Sequence, residues 1–122
     1  MGFSLYLVNT MDFLVLISQD EDGVFCASVP SVIGCVSQGE TKDAAIANIK
    51  EAIALHIQSG AKGQILIEWD HEAQAFSATC NELNYLSSFG DTRQQAIINL
   101  KDAASLMFEG SDFIEVVSID LA

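Results

Sequence analysis

Gly39-Glu40-Thr41-Lys42-Asp43-Ala44-Ala45-Ile46-Ala47-Asn48 opens one helix-like stretch, and Gly90-Asp91-Thr92-Arg93-Gln94-Gln95-Ala96-Ile97-Ile98-Asn99 opens another 51 positions later. The match extends both ways without a gap. Phe25, Ala27, Ser37, Lys50, Ala52 and Leu55 recur in the same register as Phe76, Ala78, Ser88, Lys101, Ala103 and Leu106. Ile49 becomes Leu100 and Glu51 becomes Asp102, which preserves the chemistry. Chance does not align so many identities, so the chain reads as a duplicated unit of about fifty residues. The expected division is 1–60, with an extra N-terminal strand, and 61–122. A residue kept in both copies is expected to serve the shared fold. One found in a single copy is free to specialise.

Working outward, Gly39 is expected to take a left-handed turn conformation, which costs glycine nothing sterically. Thr41 follows as an N-cap, its hydroxyl accepting a backbone N–H of the first turn. Ile46, Ile49, Ile53 and Ile57 then fall at helical spacing over residues 42–58, and Gly60 is a stop. Thr92 with Gln95 makes a capping-box pattern before a helix over 93–108. Residues 3–8 and 13–17 are strand-like, joined by turn chemistry at Asn9-Thr10-Met11-Asp12. Asp20-Glu21-Asp22-Gly23 turns into a strand at 24–29, and a short strand follows at 35–37. The second half repeats this plan. Ile65, Ile67 and Trp69 alternate with Leu66, Glu68 and Asp70, and strands follow at 75–80, 86–89 and 114–121. The fold class is therefore α+β: two tandem β-β-β-α-β-like units forming one pseudo-symmetric domain.

Two consequences follow from that plan. The second helix has its own closing strand, whereas the strand after the first helix already belongs to the second unit. Residues 3–8 are expected to supply the first unit's missing edge. Residues 13–17 are apolar on both faces, as in a strand covered on both sides. The cover is either the other unit or another subunit, and a homodimer or larger homo-oligomer is expected.

Seventeen acids stand against five Lys plus Arg, for a net charge of −12. Nucleic-acid affinity rests largely on cations that neutralise phosphates, so direct nucleic-acid binding is not expected. A basic protein partner would be steered in, although the acids also serve simple solubility. No apolar run approaches the roughly 20 residues of a membrane span, and no cationic leader precedes the first one, so a cytoplasmic location is expected. Cys26, Cys35 and Cys80 are odd in number and suit buried, reduced thiols better than disulfides or zinc.

No catalytic constellation emerges. Two-metal phosphodiester cleavage needs converging carboxylates, and residues 13–17 carry none. Asp20, Glu21 and Asp22 are too compact for a calcium loop. Asp70-His71-Glu72 occupies the equivalent turn, where neighbouring side chains diverge. His56 on the helix is replaced by Met107 in the copy and suits packing, and Asn48 and Asn99 suit hydrogen bonds to a loop or strand end. No enzyme, cofactor or metal is expected.

The run Asp20-Glu21-Asp22-Gly23, Ala27-Ser28-Val29-Pro30, Gly34-Cys35, Gly39-Glu40-Thr41, Asn48 and Glu51-Ala52 resembles the HicB-like antitoxin family. The second half keeps Gly90-Asp91-Thr92, Asn99 and Asp102-Ala103, but has Asn81 for Pro30 and Tyr85 for Gly34, as in a diverged copy. The resemblance implies a partial ribonuclease-H-like fold and a protein that neutralises HicA, a small basic toxin cleaving mRNA. Only residues 109–122 follow the second helix, so the DNA-binding segment of full antitoxins is not expected. The expected function is a non-enzymatic interaction module with Asp20, Glu21 and Asp22 as partner contacts. The alternatives are an orphan structural homo-oligomer and a small hydrolase or ligand-binding protein using the cleft between units.

Overall fold

The computed structural model describes residues 10–120. In chain order the elements are β1 (Thr10–Gln19), β2 (Phe25–Ser28), β3 (Val36–Gly39), α1 (Lys42–Gln58), β4 (Leu66–Asp70), β5 (Ala75–Cys80), β6 (Leu86–Gly90), α2 (Arg93–Met107) and β7 (Phe113–Asp120). They form two antiparallel sheets, β3-β2-β1-β7 and β4-β5-β6, in an α+β arrangement. The expected strand at residues 3–8 lies outside the described residues.

Both helices begin as their sequences predict. The Thr41 hydroxyl accepts from Ala44 N and that of Thr92 from Gln95 N, each at 3.0 Å. The second capping box is only half formed, because Gln95 Nε2 donates forward to Asn99 Oδ1 at 3.1 Å. The left-handed conformation expected at Gly39 is not found, and Gly90 matches it. Neither has positive φ; instead, a Cβ on Gly39 would lie 2.5 Å from Ala45 N, and one on Gly90 2.4 Å from Ala96 N. Glycine is required there because the strand end meets the helix backbone almost directly.

Strand pairing departs most from expectation. The closing strand β7 joins β1 in the first sheet, from Thr10 opposite Asp120 to Ile17 opposite Phe113. It therefore supplies the first unit's edge, the place expected for residues 3–8, rather than closing its own sheet. The same pairing overrides the turn expected at Asn9-Thr10-Met11-Asp12, since Thr10, Met11 and Asp12 are already in β1. A long antiparallel partner satisfies their backbone groups better than a local turn does. Ser118 Oγ also donates to the Asp12 carboxylate across the pair.

Alternation along β1 explains its apolar run. Phe13, Val15 and Ile17 face α1, in a core with Ala27, Ala45, Ile49 and Ile53, and with Val117 and Ile119 of β7. Leu14 points the other way, into a second core with Ile65, Ala78, Ala96, Leu100 and Ala104, where Ile114 and Val116 also pack. The cover on the second face is the other half of the same chain.

The repeat match also proves to have a gap. Ile17 sits opposite Ala27 and Ile67 opposite Ala78, so these isoleucines are 50 positions apart while the alanines are 51 apart. The second hairpin therefore holds one residue more between its paired positions, 11 steps from Ile67 to Ala78 against 10 from Ile17 to Ala27. A one-residue slip turns every strand side chain to the opposite face, so the shift decides which residues of β4 look inward. Ile65 is buried while Glu68 is exposed.

Where the halves meet, Lys42 of α1 and Lys101 of α2 converge on Glu115 of β7, at 2.7 and 3.5 Å. The Lys42 ammonium also lies 4.2 Å from the centre of the Phe113 ring. The hydrogen bond from Lys42 lowers the Glu115 pKa, against a smaller upward push from burial. A depressed carboxylate stabilises the fold above its unfolded pKa, and that contribution is lost as pH falls through the folded value. Glu115→Gln should cost about 1 kcal/mol near neutrality, since the groups are partly solvated. In urea melts across pH, the gap from wild type should close below about pH 4. A gap constant down to pH 3 would mean that the ion pairs contribute nothing.

Candidate functional site

The acidic hairpin is the first place to look for a partner contact. Asp20 Oδ1 accepts the N–H groups of Asp22 and Val24 at 2.9 and 3.0 Å, while Gly23 N donates to Asp20 O. This carboxylate is spent on shaping the turn, as expected of a side chain that mimics a backbone acceptor. Glu21 and Asp22 are exposed beside it. Asp70 does the same work in the second hairpin, where its Oδ1 accepts from Glu72 N and Ala73 N. All three predicted contact residues are therefore exposed, but Asp20 has one carboxylate oxygen engaged within the turn. Among the described residues no group of three or more His, Cys, Asp or Glu side chains is placed to hold a metal ion.

Residues that invited chemistry have structural work. Asn48 Nδ2 donates to Gln38 O and Asn99 Nδ2 to Phe89 O, both at 2.7 Å, tying each helix to the outer strand of its sheet. His56 Nδ1 is 2.9 Å from Ala52 O in its own helix and half-buried. His71 Nδ1 accepts from the Trp69 indole at 3.3 Å and is otherwise exposed. Ser31 is buried, and its hydroxyl donates to Gly63 O at 2.7 Å, a carbonyl that also lies 3.6 Å from Cys80 Sγ. Its hydroxyl proton is directed at a carbonyl rather than at a base, which is no arrangement for a nucleophile.

All three cysteines are free, and burial raises the pKa of Cys35 and Cys80. Cys26 is exposed, contrary to the expectation of three buried thiols. It lies on the face of β2 turned away from α1, in a concavity of about 500 Å³ lined by Leu16, Ser18, Ser28, Val36, Gln38 and Ser111. Ser18 of β1 and Cys26 and Ser28 of β2 are small residues on this lining. That sequence signal was available in the Ser18, Cys26 and Ser28 alternation, but it shows as a hollow only once the register is known. No helix of the described residues is long and apolar enough to cross a membrane.

Comparison with known proteins agrees with this architecture. The family model described as HicB_like antitoxin of bacterial toxin-antitoxin system matches residues 13–64. A UPF0150 protein of Thermoplasma acidophilum is 49% identical over 49 residues, which is 40% of this chain and 71% of the relative. One from Synechocystis is 45% identical over 51 residues, covering 42% and 74% respectively. The crystal structure of the N-terminal domain of the Burkholderia pseudomallei antitoxin HicB superposes with a TM-score of 0.52 and 26% identity, over 91% of this chain and all of that one. From the Gly-Glu-Thr helix entry to the shared sheet-and-helix plan, this chain belongs to the HicB-like antitoxin family.

Proposed function

We propose that this chain is a non-enzymatic interaction module that binds and neutralises a small basic toxin of the HicA type, an mRNA-cleaving interferase. The observation that carries the proposal is family membership joined to a surface with a net charge of −12. Of the five cationic side chains, Lys42 and Lys101 are already paired with Glu115, which leaves the remaining surface strongly anionic. Such a field accelerates encounter with a cationic protein and disfavours polyanions. We also infer that residues 1–60 and 61–122 are diverged copies of one unit. The matched Thr caps, Asn bridges and glycine contacts support that inference, although their closing strand is shared across the halves.

The test is capture from host lysate on the purified full chain, with elution by a salt gradient. A small basic protein that co-purifies, loses its ribonuclease activity in the complex and regains it on release is the expected result. Because exposed charge pairs are screened over about 8 Å at physiological ionic strength, its release should track salt. Recovery of the chain alone as a discrete homo-oligomer would favour the structural alternative.

A further inference from the structure

Residues kept in both halves were expected to serve the fold, and several pairs do. Ala27 with Ala78 and Ala45 with Ala96 are buried, Phe25 and Phe76 pack against the cores, and the threonines and asparagines make the bonds described above. Leu55 and Leu106 break the rule. They remain 65% and 79% exposed and belong to neither core. A single exposed leucine needs no explanation. The same leucine at equivalent positions of both helices is different, because its neighbours Ala47, His56 and Ile57 have become Ile98, Met107 and Phe108.

Their surroundings match as well. Leu55 follows Asn48, and Leu106 follows Asn99, by two helical turns, a spacing that drifts only about 20° round the axis. Since each asparagine donates to a carbonyl of the outer strand, each leucine sits on the helix flank overlooking that strand. The strands concerned, β3 and β6, each have one sheet neighbour among the described residues. One turn before each leucine stands a carboxylate, Glu51 or Asp102. Both are exposed, and neither is in an ion pair among the described residues.

We propose that these flanks are two equivalent docking sites for one basic partner, so that a single chain binds two partner molecules. At each site an apolar side chain of the partner covers the leucine, and a Lys or Arg meets Glu51 or Asp102. Charge selects this occupant over a second copy of the chain, which at −12 would bring like charge to the same acids. The proposal rests on the toxin-binding reading and adds the site and the stoichiometry.

Its test uses the basic protein recovered by capture, with native mass spectrometry for stoichiometry and calorimetry for affinity. Wild type should hold two partner molecules. Leu55→Glu and Leu106→Glu should each weaken one site by about tenfold or more, leaving a one-to-one complex, and the double variant should bind neither. Circular dichroism and melting should be unchanged in all three, because the leucines are outside the cores. A wild-type complex of one to one, or a double variant that still holds two partners, overturns this proposal while the toxin-binding reading stands. Failure of wild type to bind any basic protein overturns both.

Discussion

Truncation after Gly110, which removes β7, is expected to abolish cooperative unfolding of the whole described fold, not only of its second half. Val117 and Ile119 of β7 are buried against α1, in the core built by Phe13, Val15 and Ile17. Fully burying two such side chains contributes about 3–6 kcal/mol. Total stability for a domain is roughly 5–15 kcal/mol, so the loss is a large share before any hydrogen bond is counted. The eight-residue ladder with β1 goes too, and with it the Glu115 bridge between α1 and α2. Hydrogen exchange on the truncated chain should show protection lost first in β1, about a hundred positions from the cut in sequence. Protection retained in β1, α1 and β2 would show that the first unit closes its edge without β7.

Gly39→Ala and Gly90→Ala should be the most damaging single methyl additions. The new Cβ would meet backbone at 2.5 Å in one case and 2.4 Å in the other, with Ala44 C at 2.8 Å and Gln95 C at 2.6 Å behind it. Backbone at a capped helix start cannot swing aside as a side-chain tip can. Overpacking of this kind costs typically 1–3 kcal/mol and occasionally more, and each variant should fall at or above the upper end of that range. Gly60→Ala is the control. Gly60 has φ +91 with nothing within 4 Å, so it should lose only the roughly 1–2 kcal/mol of an unfavourable left-handed conformation. Equal losses at all three positions, measured by chemical denaturation, would mean that the strand end and helix separate at little cost.

The glycine comparison also shows how far local reasoning reaches. A helix entry after Gly39 was legible because the cap and the helical period lie within one short window. The reason for the glycine was not. Left-handed φ is a local property and was the natural guess, whereas clearance between a strand and a helix backbone exists only after both are placed. Cys26 illustrates the same limit: a free cysteine is usually buried, yet the position it takes on β2 turns it outward. The candidate partner surface was legible as an acidic turn at Asp20, Glu21 and Asp22, but the commitment of Asp20 to the turn itself appears only in its hydrogen bonds. Leu55 and Leu106 were visible as repeated residues, and their exposure was not.

The order of strands and helices from β1 to β7, the N-caps and the need for cover on both faces of β1 were readable from the chain. Each is encoded in residues close together in sequence, through side-chain period or turn chemistry. The destination of β7, the one-residue offset between the hairpins and the identity of the cover over Leu14 were settled in three dimensions. Pairing between positions about a hundred residues apart leaves no local periodicity to read. It is chosen by which arrangement satisfies the backbone of β1 and buries both of its faces at once.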